Sequence, residues 1–373
     1  MGLPLEGLTV VAIEQAVAAP FCTARLADAG AQVFKIERPE GDFARGYDDV
    51  AAGQSSYFVW LNRGKQSVTL NLASPEGKAE LKRLIDGADV VVQNLKRGAL
   101  ARLGFDPAEL VKANPRLIVC SISGYGDGGP LADRKAYDLL IQAESGLCSI
   151  TGTPEGPSRV GLSIVDIATG ATAHAAILEA LIGRSVTGKG ANISVSMFDV
   201  IAEWLTVPLL NHEGGKTPKR IGLAHPSISP YGVFETRDGR PILISIQSDR
   251  EWRNLAKIFL DDGALGTDPR FATNVVRVQN RTETDAIVAA AFAKRDCDDA
   301  VEALLKADVA LAMVNDMAGL SSHPHLRRIT VDSPNGPVAF PAPAPVFAGE
   351  IRAYGPVPAL GDERKATGDG QAE

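Results

Sequence analysis

Strand and helix patterns alternate along the first half of the chain, and this alternation constrains the fold more than any other feature of the sequence. Residues 8–13 (LTVVAI) are typical of a short strand, residues 21–29 of a helix, and residues 32–36 (QVFKI) of the next strand. A strand, a helix and a strand in close succession require parallel strands and a right-handed crossover. The pattern predicts a parallel sheet.

The same pattern recurs farther along. Ser74 followed by Pro75 is typical of the start of a helix, and the apolar runs at 89–92 and 117–122 are typical of strands covered on both faces. We therefore expect an α/β fold with a doubly wound, Rossmann-like sheet over roughly residues 1–200. A hairpin signal at 237–239 and three helical stretches after it predict a smaller α+β domain.

Composition and charge narrow the function classes. The formal net charge of −7 argues against nucleic acid as the main ligand. The N-terminus lacks the pattern of a signal peptide, and the sequence offers no obvious membrane span, so we expect a cytoplasmic protein without a membrane partner. The four cysteines and five histidines show neither C-x-x-C nor zinc-ligand spacing, so we expect no metal.

The turn after the first strand reads EQAVAAP over residues 14–20. It lacks the glycines with which a dinucleotide-binding turn approaches a pyrophosphate, so we expect no NAD or FAD. A dinucleotide-dependent oxidoreductase is therefore disfavoured. A Ser-based hydrolase is also disfavoured, because no G-x-S-x-G motif occurs.

Asp166 lies in an almost wholly apolar stretch, GLSIVDIATG at 161–170, at the start of a predicted helix. Burial of a carboxylate costs free energy unless the group is paired or hydrogen-bonded. One interpretation is an N-cap, a position that Asp favours. The other is a carboxylate whose reactivity is set by burial near a helix N-terminus.

Fourteen short motifs follow one another along nearly the whole chain. They are residues 18–20 (AAP), 35–39 (KIERP), 41–45 (GDFAR), 62–65 (NRGK), 75–77 (PEG), 92–94 (VQN), 124–126 (GYG), 137–138 (YD), 145–147 (SGL), 151–152 (TG), Asp166, 169–170 (TG), 187–190 (TGKG) and 196–199 (SMFD). In these motifs and their order the chain resembles the class III CoA-transferases, the family of formyl-CoA transferase and carnitine CoA-transferase.

The resemblance implies an enzyme that moves CoA between carboxylic acids, with Asp166 as the nucleophile. It also implies an interlocked, linked-ring homodimer. The large Rossmann-like domain would comprise residues 1–210 and 325–373, and the small α+β domain residues 225–324, with a linker at 211–224. The cofactor would be coenzyme A, supplied as acyl-CoA.

The family's CoA contacts match seven positions of this sequence. They are Arg38, Leu72, Asn94, Leu95, Arg102, Lys135 and Tyr137. Two departures from formyl-CoA transferase argue against oxalate and formyl-CoA as substrates. Val17 stands where that enzyme has Gln, and residues 222–226 (GLAHP) replace its run of glycines.

The stretches at 14–20 and 41–48 are most similar to the members that act on short branched dicarboxylates, such as mesaconate, itaconate, citramalate and succinate. An intramolecular C1-to-C4 shift of CoA within mesaconyl-CoA is equally open. A second carboxylate requires a cation, and Arg45 and His225 are the candidates, while Gln15 is a candidate for orienting the acyl group.

Two alternatives remain. α-Methylacyl-CoA racemase has the same fold, but those enzymes carry a His-Asp pair where this chain has Tyr137 and Asp138, so one face of the α-carbon would lack a base. A CoA-binding protein without catalysis is the second alternative, in which Asp166 would only cap a helix.

Overall fold

Six parallel strands form the main sheet of the structure, a computed structural model that describes residues 2–362. These are β1 (Thr9–Ile13), β2 (Gln32–Glu37), β3 (Lys65–Thr69), β4 (Val90–Gln93), β5 (Ile118–Ser123) and β8 (Asn192–Ser196). Their order is β3-β2-β1-β4-β5-β8, so the strand order reverses between β1 and β4. The predicted parallel sheet is confirmed, and ligands of such sheets bind where the order reverses.

Helices cover both faces of this sheet. Those in the chain up to residue 213 are α1 (Ala18–Asp28), α2 (Ser56–Asn62), α3 (Pro75–Asp86), α4 (Ala99–Arg102), α5 (Pro107–Ala113), α6 (Asp138–Glu144), α7 (Leu147–Ile150), α8 (Ile164–Thr187), α9 (Met197–Trp204) and α10 (Thr206–Glu213). As predicted, Ser74 caps α3 by accepting a hydrogen bond from the backbone N–H of Gly77, with Pro75 as the first helical residue. Leu205, the C-cap of α9, separates α9 from α10.

Alternate residues of β1 belong to two different apolar cores. Val10 and Ala12 pack with α1 and α8 on one face, whereas Val11 and Ile13 pack with α3 and α5 on the other. Both sets are almost fully buried. This explains why the strands read as continuous apolar runs in the sequence.

The chain divides into two compact units. The first unit comprises residues 2–148, 159–210 and 327–362, and the second comprises residues 149–158 and 211–326. Residues 149–158 are therefore an excursion of the chain out of the first unit. The predicted linker at 211–224 groups with the second unit, and residues 363–373 of the predicted large domain lie outside the described residues.

The second unit has its own core around Trp252, Phe259 and Phe292. Its strands are β6 (Gly152–Thr153), β7 (Gly156–Pro157), β9 (Tyr231–Glu235), β10 (Pro241–Ser245) and β11 (Ala310–Met313), and its helices are α11 (Asp249–Asn254), α12 (Asn274–Gln279), α13 (Arg281–Phe292), α14 (Cys297–Lys306) and α15 (Met317–Ser321). The predicted hairpin is confirmed as β9 and β10, and β11 extends it to three strands. In the first unit, β12 (Arg328–Val331) pairs with β13 (Val338–Pro341).

Helix α8 is, by length and apolar composition alone, long enough to cross a membrane. This is weak evidence, since the core helices of many proteins have the same length and composition. In this structure α8 packs against α1, α9 and the strand β5. The absence of a membrane partner stays a prediction.

Candidate active site

Helices α1 and α8 pack closely on one face of the sheet. Gly170 makes the close approach possible, because a Cβ at this position would lie 2.4 Å from the carbonyl oxygen of Ala18. Farther along, Leu178 of α8 and Asp28 of α1 line one cavity. The helices therefore run in the same direction, and their N-terminal ends lie together at the carboxyl edge of the sheet. Asp166, one turn before Gly170, lies at this end.

The N-terminus of α8 is capped by a carboxylate from another helix. Asp138 accepts hydrogen bonds through Oδ1 from the backbone N–H groups of Val165 (2.8 Å) and Asp166 (3.1 Å). Ser163, at the cap position itself, makes no side-chain capping bond. Asp166 is the third residue of the helix, so the interpretation of Asp166 as an N-cap is wrong.

Gln142 completes this arrangement and joins it to the returning chain. Its Nε2 donates to Asp138 Oδ2 at 2.6 Å, and its Oε1 accepts from the backbone N–H of Val160 at 2.9 Å. We call Asp138 and Gln142 the clamp. The clamp connects α6, just before the excursion at 149–158, with the chain just after it.

The Asp166 carboxylate makes no ion pair or hydrogen bond within residues 2–362. Burial raises the pKa of Asp166, and the charge of Asp138 raises it further, to about 7. The N-terminal end of α8 favours a negative charge and opposes this shift in part. A desolvated carboxylate without a partner is a stronger nucleophile than one in water. The arrangement can therefore attack an activated carbonyl carbon.

The loop between β1 and α1 is fixed by two side chains. Asn94, directly after β4, exchanges two hydrogen bonds with the backbone of Gln15, at 3.0 and 2.8 Å. Asp42 accepts from the backbone N–H of Ala16 at 3.2 Å. Ala16 adopts a left-handed backbone conformation with φ of 63°, which is uncommon for a residue other than Gly. The three hydrogen bonds fix the backbone of this loop at the point where the strand order reverses.

Beneath the loop lies a network of buried charges formed by Glu14, Lys35, Asp42 and Lys65, all with fully buried side chains. Lys65 Nζ lies 2.6 Å from Glu14 Oε1, and Lys35 Nζ lies 2.9 Å from Asp42 Oδ2 and 3.5 Å from Glu14. Burial alone would raise the pKa of Glu14, but the charges of Lys65 and Lys35 outweigh burial and lower it. Every charge of the network lies beside one of opposite sign, as buried charges require.

Arg45 is used within the fold. Its guanidinium forms a bidentate pair with Glu37, at 2.9 and 2.8 Å, and lies 3.7 Å from the centre of the Phe58 ring. Burial would raise the pKa of Glu37, but hydrogen bonding to Arg45 and the charge of Lys35 lower it to about 2. This geometry argues against the predicted role of Arg45 in binding a substrate carboxylate.

A cavity of about 380 Å³ opens beside the end of β1. Four of the predicted residues, Gln15, Arg38, Leu72 and Leu95, line it. Arg38 donates through Nε to the backbone oxygen of Gly41 at 3.0 Å, and its side chain is exposed. Arg38 is the one cation from residues 2–362 that lines this cavity, so a phosphate group would bind at Arg38, and Leu72 and Leu95 offer apolar surface. The lining also includes four acidic residues, Glu14, Glu37, Glu40 and Asp42.

The other predicted residues are not all brought together. Arg102 lines a separate cavity of about 490 Å³, with Leu95 as a shared wall. Asn94 acts on the loop backbone, while Lys135 and Tyr137 are exposed beside α6. His225 belongs to the second unit, where its ring stacks on Tyr231 at 5.2 Å.

Sequence analysis did not identify Asp138 or Asp42 as residues of the site. Asp138 begins α6, and an acidic residue before an apolar run signals a helix start, but nothing local signals that it caps α8 as well. Asp42 likewise caps its own turn by accepting from Ala44 N–H, and only the tertiary fold brings it to Ala16.

Among residues 2–362, no group of three or more His, Cys, Asp or Glu side chains could hold a metal ion. The four cysteines, Cys22, Cys120, Cys148 and Cys297, are free thiols, and burial raises the pKa of Cys120 to about 12.

Comparison with known proteins gives one consistent family. The model of CoA-transferase family III matches residues 5–364. A succinate–glutarate CoA-transferase of Agrobacterium fabrum is 36% identical, over 97% of this chain and 94% of that protein. An acetyl-CoA:oxalate CoA-transferase of Acetobacter aceti is 38% identical, over 91% of this chain and 87% of that protein.

The crystal structure of a CAIB/BAIF family protein from Brucella suis has the same α/β fold. It superimposes with a TM-score of 0.82 at 36% identity, over 97% of this chain and 98% of that one. The family match over nearly the whole chain confirms the resemblance that the fourteen motifs indicated. This chain belongs to CoA-transferase family III and is an enzyme of that family.

Proposed function

We propose that this enzyme transfers CoA between short dicarboxylic acids through covalent intermediates on Asp166. One observation carries the proposal. Asp166 is a half-buried carboxylate without a partner in residues 2–362, its pKa is about 7, and it lies where the N-terminal ends of α1 and α8 meet. The cavity lined by Gln15, Arg38 and Leu72 lies at the same edge of the sheet, where the strand order reverses.

The reaction proceeds in four exchanges. The Asp166 carboxylate attacks the thioester carbonyl of the donor acyl-CoA, the C–S bond breaks, and a mixed anhydride and CoA thiolate form. The thiolate attacks the aspartyl carbonyl of the anhydride, which releases the donor acid and leaves an aspartyl-CoA thioester. The acceptor carboxylate attacks this thioester, the C–S bond breaks, and a second mixed anhydride and CoA thiolate form. The thiolate then attacks the acceptor's acyl carbon, which gives the CoA thioester of the acceptor and regenerates Asp166.

Each exchange passes a negative charge between oxygen and sulfur near Asp166. The N-terminal ends of two helices, of 11 and 24 residues, point their backbone dipoles toward this region and stabilise such charges. A thioester is present at the beginning and at the end, so no nucleotide triphosphate is consumed.

Coenzyme A would be held by Arg38, Leu72, Asn94, Leu95, Arg102, Lys135 and Tyr137. Arg38, Arg102 and Lys135 are exposed cations suited to phosphate groups. Leu72 and Leu95 offer apolar surface. This assignment rests on the family resemblance and on the cavity that four site residues share.

The names of two relatives support a dicarboxylate substrate, since one specifies succinate and glutarate and the other oxalate. Oxalate, which sequence analysis disfavoured, is therefore kept among the candidates with succinate, glutarate, itaconate, mesaconate and citramalate. An intramolecular C1-to-C4 shift within mesaconyl-CoA remains part of the proposal. With Arg45 paired to Glu37, His225 is the remaining candidate for the distal carboxylate.

A homodimer, in the linked-ring form, and a cytoplasmic location are part of the same proposal. Large apolar side chains are exposed on α8, α9 and α10, and a second copy would cover them. They are Ile182, Val186, Trp204, Val207, Leu209 and Leu210. Light scattering that gave the mass of a single chain at micromolar concentration would contradict the dimer.

Trapping of the intermediate tests the function. The enzyme is incubated with a panel of acyl-CoAs, treated with hydroxylamine, and digested for mass spectrometry. We expect a hydroxamate on Asp166, and the acyl-CoA that gives it identifies the donor. Modification of another residue, with Asp166 unmodified, would overturn the mechanism.

Matched variants complete this test. Asp166→Asn should lower turnover by about 10³-fold or more, since the nucleophile is removed. Asp199 is likewise the third residue of a helix, α9, and Asp199→Asn should leave turnover within about twofold. Exchange of an α-proton with deuterated water, without CoA transfer, would favour the racemase alternative, and CoA binding with no chemistry the non-catalytic one.

A further inference from the structure

Three aromatic side chains connect the turn after Asp42 with the start of α8. The rings of Phe43 and Tyr47 are 5.7 Å apart, and Tyr47 and Tyr57 form an edge-to-face pair at 5.5 Å. The hydroxyl of Tyr57 lies 3.4 Å from Ser163 Oγ, at the cap position of α8. The chain of contacts therefore places Tyr47 beside the helix end that carries Asp166.

The position of Tyr47 is set by the buried charge network. Asp42 caps the short turn Phe43–Gly46 by accepting from Ala44 N–H at 3.0 Å, and Lys35 holds Asp42 at 2.9 Å. Tyr47 directly follows this turn. The same Asp42 carboxylate fixes Ala16, so the loop after β1 and Tyr47 are positioned by one group.

The hydroxyl groups of the two tyrosines differ. Tyr57 shares a hydrogen bond with Ser163, whereas the Tyr47 hydroxyl has no hydrogen-bond partner in the described part of the chain. Its side chain is 46% exposed, so a substrate can reach it. Burial and the charges of Asp42 and Asp166 raise the pKa of Tyr47 to about 12. Tyr47 is thus a neutral donor within electrostatic range of the nucleophile.

We propose that Tyr47 is a further catalytic residue, whose phenol donates a hydrogen bond to the acyl oxygen when Asp166 attacks the thioester. As the new C–O bond forms, the carbonyl π electrons move onto this oxygen, and they return when the C–S bond breaks. The phenol keeps its proton throughout. A neutral donor stabilises the oxyanion without holding the nucleophile in an ion pair, as a cation would.

This inference rests on the proposed function, and it concerns both tetrahedral steps at the acyl carbon. Removal of one donor to a developing oxyanion typically lowers kcat by 10²- to 10³-fold when the donor is fully buried. The half-exposed position of Tyr47 allows water to substitute in part, so we expect a smaller loss.

The test compares Tyr47→Phe with Tyr57→Phe, because both remove one hydroxyl from the same aromatic cluster. We expect Tyr47→Phe to lower kcat by about 10- to 100-fold, with KM within about twofold. Tyr57→Phe should stay within about threefold of the parent enzyme. Thermal unfolding of both variants is measured to detect a loss of structure.

Two outcomes would overturn the inference. If Tyr47→Phe retains the parent kcat, the hydroxyl takes no part. If both variants lose the same activity, the cluster acts only by packing. Hydroxamate trapping on Asp166 in the parent enzyme separates this inference from the proposed function. An adduct in the parent with no effect of Tyr47→Phe would refute the role of Tyr47 alone.

Discussion

Two groups of buried carboxylates lie at the same end of the sheet, and they differ in their partners. Glu14 and Asp42 each contact a buried lysine, and Glu37 contacts Arg45. Asp166 has no such contact within residues 2–362, and the charge that acts on its pKa is that of another acid, Asp138. Burial alone therefore does not mark a reactive group. A paired carboxylate supports the fold, and an unpaired one is available for chemistry.

The physical difference is the direction in which the environment moves each pKa. Attraction by a nearby cation outweighs desolvation at Glu14 and Glu37, and their pKa values fall. At Asp166 desolvation and a like charge act together, and the pKa rises to about 7. Glu14 and Glu37 are held as anions, whereas Asp166 can change its charge near neutral pH.

The largest expected effect is the loss of stability when an ion pair of the buried charge network is broken. Lys65→Met removes the 2.6 Å partner of Glu14 and leaves an under-compensated buried charge, so we expect a loss of about 3–5 kcal/mol in the free energy of unfolding. Urea unfolding measures the loss. The matched control is Lys82→Met, which breaks an exposed pair with Asp86 and should cost about 0.5 kcal/mol or less. Equal losses in the two variants would show that pairing in the network contributes little.

The position of Asp166 depends on the close approach of α1 and α8 at Gly170. Gly170→Ala would put a Cβ 2.4 Å from Ala18 O and force α1 and α8 apart. We expect a loss of about 1–3 kcal/mol in the free energy of unfolding and a lower kcat, because Asp166 lies one turn away. Gly183 is in the same helix and faces open space, so Gly183→Ala should stabilise by about 0.5–1 kcal/mol. Wild-type activity in Gly170→Ala would show that this close approach does not position Asp166.

The smallest expected effect is a change in the pKa of Asp166. In the parent enzyme, kcat/KM should rise with pH through about 7, since only the ionised form of Asp166 attacks. Asp138→Asn keeps an oxygen to cap α8 but removes the charge that raises this pKa. The acid limb of the kcat/KM profile should therefore move to lower pH. The disturbed hydrogen bond to Gln142 should lower the free energy of unfolding by about 1 kcal/mol. If the acid limb of Asp138→Asn stays at the pH of the parent enzyme, the charge of Asp138 does not act on Asp166.

The raised pKa of Asp166 also makes the free energy of unfolding depend on pH. The pKa of Asp166 is raised in the folded state, so the folded protein binds more protons than the unfolded chain between about pH 4 and pH 7. The contribution of Asp166 to stability is therefore highest at acid pH and is lost as the pH rises toward 7. Asp166→Asn should remove this part of the pH dependence of thermal unfolding.

The sequence predicted the parts of the fold that depend on local pattern. The order of strands and helices, the cap at Ser74 and the hairpin β9–β10 follow from periodicity and turn residues. Residues 149–158 were assigned to the large domain because two-residue strands such as β6 leave no periodic signal.

The site was predictable only as far as family motifs mark positions. Asp166 was found through resemblance, because an apolar setting alone also fits a helix cap. The roles of Asp138 and Arg45 depend on partners that the fold supplies: the backbone of α8 for Asp138, and Glu37 on β2 for Arg45. Side-chain types show what a residue can bind, and only the tertiary structure shows which group is already bound.

The clamp of Asp138 and Gln142 has a mechanical consequence. The chain leaves the first unit after residue 148 and returns at 159, and the clamp ties the two sides of this departure together. A movement of residues 149–158 would therefore have to break the hydrogen bonds of the clamp before it could displace the first turn of α8. A change in the length of residues 149–158 should therefore leave the position of the Asp166 carboxylate unchanged.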